Sequence, residues 1–177
     1  MNYKLMLLLG VFLSFGTTRA QDFEVLETVV REGKVVILEE SVKKNASLLE
    51  YSNTKGYSLL MIAVYNKQLP MVEYLLSQKV DVNGMDNSGN TALMGAAFQG
   101  YKEIAALLLC NNAAIDQQNY NGATALHFAA TFDQREVVQL LLEAGANKEV
   151  KNNFGDTAYA TALKQGNKST SKLLETR

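Results

Sequence analysis

Apolar residues in this chain come in short bursts of helical spacing, and the bursts recur in a fixed phase. The stretch 86–118, DNSGNTALMGAAFQGYKEIAALLLCNNAAIDQQ, is restated by 119–151, NYNGATALHFAATFDQREVVQLLLEAGANKEVK. Gly89 returns as Gly122, Thr91 as Thr124, Leu93 as Leu126, Ala96-Ala97 as Ala129-Ala130, and Leu107-Leu108-Leu109 as Leu140-Leu141-Leu142. The register extends back to Gly56, Ser58, Leu60, Ala63 and Tyr74-Leu75-Leu76, and forward to Gly155, Thr157, Tyr159, Ala162 and Leu173-Leu174. A repeat of this length, with one glycine turn and two short helical patterns, predicts units that stack into a solenoid.

Within each unit the residue types assign the local structure. The glycine permits a turn with positive φ, and Ser58, Thr91, Thr124 and Thr157 stand two residues later, where a hydroxyl caps the first helix. The alanine pairs let neighbouring first helices approach closely, and the leucine triplets fill the space between two helix layers. Pro70 falls in the first turn of a second helix, where its missing N–H costs little. Asn112 and Gly145 are placed to end second helices in the left-handed conformation, with Lys79 a less favourable stop at the equivalent position.

These residues carry a resemblance to the ankyrin repeat, whose consensus runs through G-x-T-P-L-H-x-A-A and then V-x-L-L-L-x-x-G-A-D; the closest match here is GATALHFAA with VVQLLLEAGAN. It covers three full repeats and a partial one at each end, nearly all of the chain after residue 20. Two departures are visible: Leu59, Ala92, Ala125 and Ala158 replace the consensus proline, and the histidine survives only as His127. The resemblance implies an all-α ankyrin-repeat solenoid of helix-turn-helix units with short β-turn fingers. Its units fall at about 22–52, 53–85, 86–118, 119–151 and 152–177.

The two ends read as caps. Phe23, Leu26 and Val30, then Val35, Leu38 and Val42, give two helices joined at Gly33, with Glu27, Arg31, Glu39, Glu40, Lys43 and Lys44 as the wet face an array end requires. The spacing from this unit to the next is one residue off the period, absorbed in a loop, NASLLEYSN. At the other end Ser171 and Glu175 replace apolar residues of the inner repeats.

Residues 1–20 differ in character from the rest of the chain: Lys4, the apolar run LMLLLGVFLSF, then Thr18-Arg19-Ala20. This reads as a secretory signal peptide cut after Ala20. The run is shorter than the roughly 20 apolar residues that cross a bilayer, so no membrane insertion is expected once the signal is removed. The expected location is exported, periplasmic or secreted. Without Lys4 and Arg19 the 17 basic residues fall to 15 against 18 acidic ones, a net charge near −3. Nucleic acid is therefore not an expected partner, because phosphate binding needs a basic face. The single cysteine, Cys110, forms no internal disulfide, so packing alone must hold the fold.

The inventory for catalysis is poor. One histidine builds neither a multi-histidine metal site nor a relay. His127 reads instead as a ring that orders a neighbouring turn, and Cys110 as a small, partly buried residue at a helix end. Asp and Asn in the fingers, including Asp86-Asn87 and Asp116 to Asn121, suit the turns' own hydrogen bonds. No cofactor, metal site or catalytic residue is assigned, and the chain is read as non-enzymatic.

What remains is surface. The resemblance places partner binding on the finger tips and the first-helix face, which here hold Tyr57, Tyr65, Asn66, Met85, Asn87, Asn90, Phe98, Gln99, Tyr120, Phe132 and Phe154. Tyr65 and Phe98, one period apart, are expected to stack on adjacent repeats. Aromatics flanked by Asn and Gln suit a protein partner. The expected function is an exported protein–protein interaction module, an inhibitor or escort of another exported protein. The other readings are a structural or assembly subunit, or a small hydrolase or metal-dependent enzyme.

Overall fold

A computed structural model describes residues 19–175, so the signal-peptide reading falls on residues that, apart from the last two, lie outside the described part. The described residues form ten α-helices: α1 (Arg19–Arg31), α2 (Val35–Lys44), α3 (Leu59–Tyr65), α4 (Leu69–Ser77), α5 (Ala92–Gln99), α6 (Lys102–Cys110), α7 (Ala125–Thr131), α8 (Arg135–Glu143), α9 (Ala158–Lys164) and α10 (Lys168–Leu174). Odd-numbered helices pack in one row and even-numbered helices in a second, each pair leaning together. The fold is the expected all-helical solenoid. The offset after α2 is taken up by a 3-10 helix, Ala46–Glu50, whose first turn is capped by the Asn45 side chain.

Three of the four expected caps bond as the sequence places them, and the fourth, Thr124, turns its hydroxyl to the His127 ring at 2.9 Å. Ser58, Thr91 and Thr157 accept from the backbone N–H of Met61, Met94 and Ala160 at 3.3 Å. Pro70 lies in the first turn of α4. Gly56, Gly89, Gly122 and Gly155 all have positive φ, as do Lys79, Asn112 and Gly145 after the second helices.

The fingers are held by one recurring Asx position, read from Asn53, Asp86, Asn119 and Asn152. Asp86 Oδ1 accepts from the N–H groups of Ser88 and Asn90, both at 2.8 Å, and the other three repeat this pattern with their own loops. Successive fingers are linked by backbone bonds, Asn87 N–H to Lys55, Tyr120 N–H to Ser88 and Asn153 N–H to Asn121, at 3.0–3.1 Å.

The core runs the length of the stack. Leu75, Leu108 and Leu141, equivalent residues of three repeats, are fully buried, each stabilising by roughly 1.5–3 kcal/mol. Between the first helices the core narrows to alanine: Ala63, Ala96, Ala129 and Ala162 are wholly inaccessible. Ala129→Leu is therefore expected to cost about 1–3 kcal/mol through overpacking, read as a lower denaturant midpoint at unchanged slope. The apolar end of the stack is less covered than a polar cap implies, since Leu163 and Leu173 remain exposed, while Ser171 is buried and donates to the Lys168 carbonyl.

At three of the four joints a carboxamide at the start of a second helix reaches back to the preceding repeat. Gln68 donates to Arg31 O, Gln134 to Phe98 O, and Asn167 to Ala130 O and Thr131 O, at 2.9–3.2 Å. The equivalent residue of the remaining joint is Tyr101, whose ring lies 5.3 Å beneath the Lys67 ammonium.

Candidate partner-binding face

The first-helix face is built from two ring pairs. Tyr57, leaving the first finger, stacks on Tyr65 at the end of α3 with centroids 5.3 Å apart and planes 25° apart. Phe98, at the end of α5, meets Phe132, just past α7, edge to face at 4.4 Å and 73°. The expected Tyr65–Phe98 stack does not form. The reason is Gly95: a Cβ there would lie 3.2 Å from Tyr65 Cζ, so the ring settles over the bare backbone of α5 and against Tyr57. Phe98 then turns to the next repeat.

Between the two pairs lies a hollow lined by Tyr57, Tyr65, Asn90, Met94, Phe98 and Phe128. It gathers four residues of the predicted surface. Burial, with Tyr57 and Asp86 nearby, pushes the Tyr65 hydroxyl up to about 12, so the floor is neutral at any physiological pH. Asn90 is committed to the fingers: its Nδ2 donates to Asp86 Oδ2 at 3.1 Å and its Oδ1 accepts from Asn119 Nδ2 at 2.7 Å.

The other predicted residues are dispersed. Asn66 donates to the Ile62 carbonyl at 2.8 Å and Asn87 to that of Thr54 at 2.9 Å. Gln99 is half-buried at the end of α5 and Met85 exposed ahead of the second finger. Tyr120 (66% exposed) lies over Gly89, and Phe154 (80% exposed) stands on the last finger. Phe132 is 45% exposed.

Sequence reasoning missed a larger cleft at the N-terminal end. About 1230 Å³ opens between α1, the 3-10 helix and the first finger, lined by Phe23, Glu27, Arg31, Tyr51, Tyr57 and Tyr65 among others. Tyr51 holds it: its ring packs on Phe23 at 4.9 Å, and its hydroxyl donates to Glu27 Oε1 at 2.6 Å. Burial first, and Glu27 second, push that hydroxyl well up. The extra residue before the first internal repeat was the available clue, because an offset in a strict period opens space where the next unit would otherwise pack.

The residues with chemical potential are placed structurally. His127 is buried, with Nδ1 3.2 Å from the Thr124 N–H and 2.9 Å from Thr124 Oγ1, and Nε2 3.0 Å from the Asp156 carbonyl. Only a ring protonated on Nε2 satisfies both sides, accepting from Thr124 and donating to Asp156 O. It therefore ties α7 to the last finger, as the sequence implies. Cys110 is exposed, not partly buried, because it falls at the solvent side of the last turn of α6. Among the described residues no three His, Cys, Asp or Glu side chains lie close enough to hold a metal ion, and no helix is long and apolar enough to cross a membrane.

The His127 tie predicts a pH dependence. Burial lowers the folded-state pKa below the ordinary value of about 6.5, so the unfolded chain binds the proton more readily. Stability is then complete above about pH 6.5 and falls as pH drops through that value toward the folded pKa. His127 is the only histidine, so a midpoint that declines as pH falls below about 6.5 is expected to flatten in His127→Met. Methionine is the residue of the two preceding repeats, where Met94 Sδ accepts from the Thr91 N–H at 3.5 Å.

Family models for ankyrin repeats match the chain in two overlapping stretches, one for three copies over residues 26–119 and one for many copies over residues 107–162. A comparison with curated proteins gave no match.

Proposed function

Since this chain belongs to the ankyrin-repeat family, whose repeats imply a protein–protein interaction module, we propose that it is an exported, non-enzymatic binder of another protein. On this reading it acts as an inhibitor or escort of a partner in the same compartment. The partner seats on the first-helix face and finger tips. The observation that carries the proposal is the pairing of four rings on that face, Tyr57 with Tyr65 and Phe98 with Phe132, around an open hollow. Large, rigid rings at the edge of a hollow are what protein interfaces use as anchors. Repeat folds specify a surface and not a task, so the identity of the partner has to be measured. Crosslinking in the native compartment followed by mass identification of the adduct does this. A recurrent adduct through first-helix or finger residues supports the proposal, and adducts confined to the outer helices oppose it.

Export has its own test. Cleavage after Ala20 gives a chain that begins at Gln21, and N-terminal mass analysis of the native protein is expected to find it there. Recovery of an intact chain from Met1 in the membrane fraction would overturn both the leader and the compartment.

A further inference from the structure

The first helices of three successive repeats, with the finger halves that lead into them, carry no charge. Residues 56–66, 87–101 and 117–132, each a finger half with its first helix, contain no Asp, Glu, Lys or Arg. Burial explains only part of this, because Tyr57, Tyr65, Phe98, Gln99, Phe128 and Phe132 in these runs are half-buried or exposed. The outer helices of the same repeats behave in the opposite way, with Glu73, Lys102, Glu103, Arg135, Glu136 and Glu143 exposed. Charges border these runs: Lys55 and Lys67 are exposed on either side of the first, with the Lys67 ammonium 5.3 Å over the Tyr101 ring, Asp86 is buried ahead of the second, and Asp133 is exposed beside Phe132. Glu27 and Arg31 pair at 3.1 Å beside the N-terminal cleft, and Asp156 pairs with Lys164 at 2.6 Å on the last repeat.

The hollow between the ring pairs lies in the middle of this neutral band, and none of its six lining residues is charged. The acidic side chain nearest its amide, Asp86, is buried and fully engaged by Ser88 and Asn90. Asn90 has its donor and acceptor occupied within the fingers. A charged group brought into this hollow would lose its water and find no free amide, and the one carboxylate felt at its floor, Asp86, is already held by Ser88 and Asn90, so the buried charge would be poorly compensated. An apolar side chain meets ring faces and Met94 with no such cost.

We infer that the partner docks on this face through an uncharged segment that inserts an aliphatic or aromatic side chain into the hollow between Tyr65 and Phe98. The inference rests on the proposed function and narrows it to the chemistry of the partner's contact segment. Charge complementarity decides the occupant: the lining of the hollow has no charge to complement, so neither an acidic nor a basic side chain is favoured in it. The lining itself contributes no local electrostatic attraction to association. Salt has little to screen at the contact.

The test uses the full chain as recovered from producing cells, immobilised and panned with a displayed library of random short peptides. Enriched peptides poor in Asp, Glu, Lys and Arg and rich in aliphatic or aromatic residues are expected. Their affinity should change less than about twofold between low and high salt. The sign of the electrostatics is read from three variants of one position, Phe132→Gln, Phe132→Glu and Phe132→Lys. Both charged variants are expected to bind the selected peptides several-fold more weakly than the glutamine variant. Opposite responses to Glu and Lys, or enrichment of charged peptides whose binding still depends on Phe132, would overturn the inference and leave the binding face standing. Peptides indifferent to all three variants, or no enrichment at all, would remove the face as well. A mass that rises with protein concentration and falls in Phe132→Glu would make a second copy the occupant, and the inferred partner would be wrong.

Discussion

Replacing Phe98 and Phe132 together with alanine is expected to abolish capture of the crosslinked partner while leaving the thermal midpoint almost unchanged. Hot-spot aromatics cost about 2 kcal/mol or more on truncation, roughly thirtyfold in affinity. These two rings pack chiefly on each other, at 4.4 Å, with Phe132 nearly half exposed, so removing both leaves no unpartnered ring and little cavity. Tyr65 is a less clean probe, although it stands on the same face. Its ring covers Gly95 and packs against the buried core, so Tyr65→Ala opens a void as well as removing an anchor. The comparison is therefore informative in both directions. Loss of capture in Phe98→Ala/Phe132→Ala at an unshifted midpoint supports the face. Retained capture would place the partner elsewhere, with the N-terminal cleft around Tyr51 the next surface to test.

Gly100→Ala is expected to destabilise the chain far more than Gly166→Ala, although the two glycines are equivalent and have nearly the same φ, +74° and +76°. Both variants place a Cβ in the left-handed region, which costs an L-residue roughly 1–2 kcal/mol. At Gly166 nothing lies within 4 Å of that Cβ, whereas at Gly100 it would fall 2.1 Å from Oε1 and 2.6 Å from Cδ of Gln134. The Gln134 side chain must leave, and its bond to the Phe98 carbonyl goes with it. An unmade bond of this kind adds about 1–3 kcal/mol, so the total reaches about 2–5 kcal/mol against 1–2 for the terminal glycine. Chemical denaturation of both variants and of Gly100→Ala/Gln134→Ala checks it. In the double variant the bond is absent as it already is in Gly100→Ala, so removing Gln134 there is expected to cost little more. Equal midpoints for the two single variants would mean that the carboxamide clamp contributes nothing to the joint.

The clamp also shows why some features escaped the sequence. Gln68, Gln134 and Asn167 share a repeat position with Tyr101, but four unlike residues do not announce a common task. Their carbonyl partners lie 36 or 37 residues away, in the preceding repeat. The same holds for the ring pairs. Both Tyr65 and Phe98 were legible as free positions, yet which ring each would meet depended on Gly95, a residue that looks like an ordinary member of a small-residue helix.

The period, the two-helix unit, the caps at Ser58, Thr91 and Thr157, the left-handed stops at Asn112 and Gly145, and the alanine seam between first helices are all written in the residue order. Each of these depends on local geometry or on nearest-neighbour packing repeated every 33 residues, so the same residue types recur in phase and the pattern is visible without coordinates. The roles of the exceptions were set by folding. Tyr51 closes one wall of a cleft because the 3-10 helix brings it onto α1. Cys110 is exposed because its position on the last turn of α6 faces solvent. Asn90 is spent on Asp86 and Asn119 although it reads as a free surface amide. The hollow exists because Gly95 draws Tyr65 away from Phe98. A repeat sequence specifies what all units share, and the face left for a partner is made where one unit differs from its neighbours, which is settled by contacts across the joints.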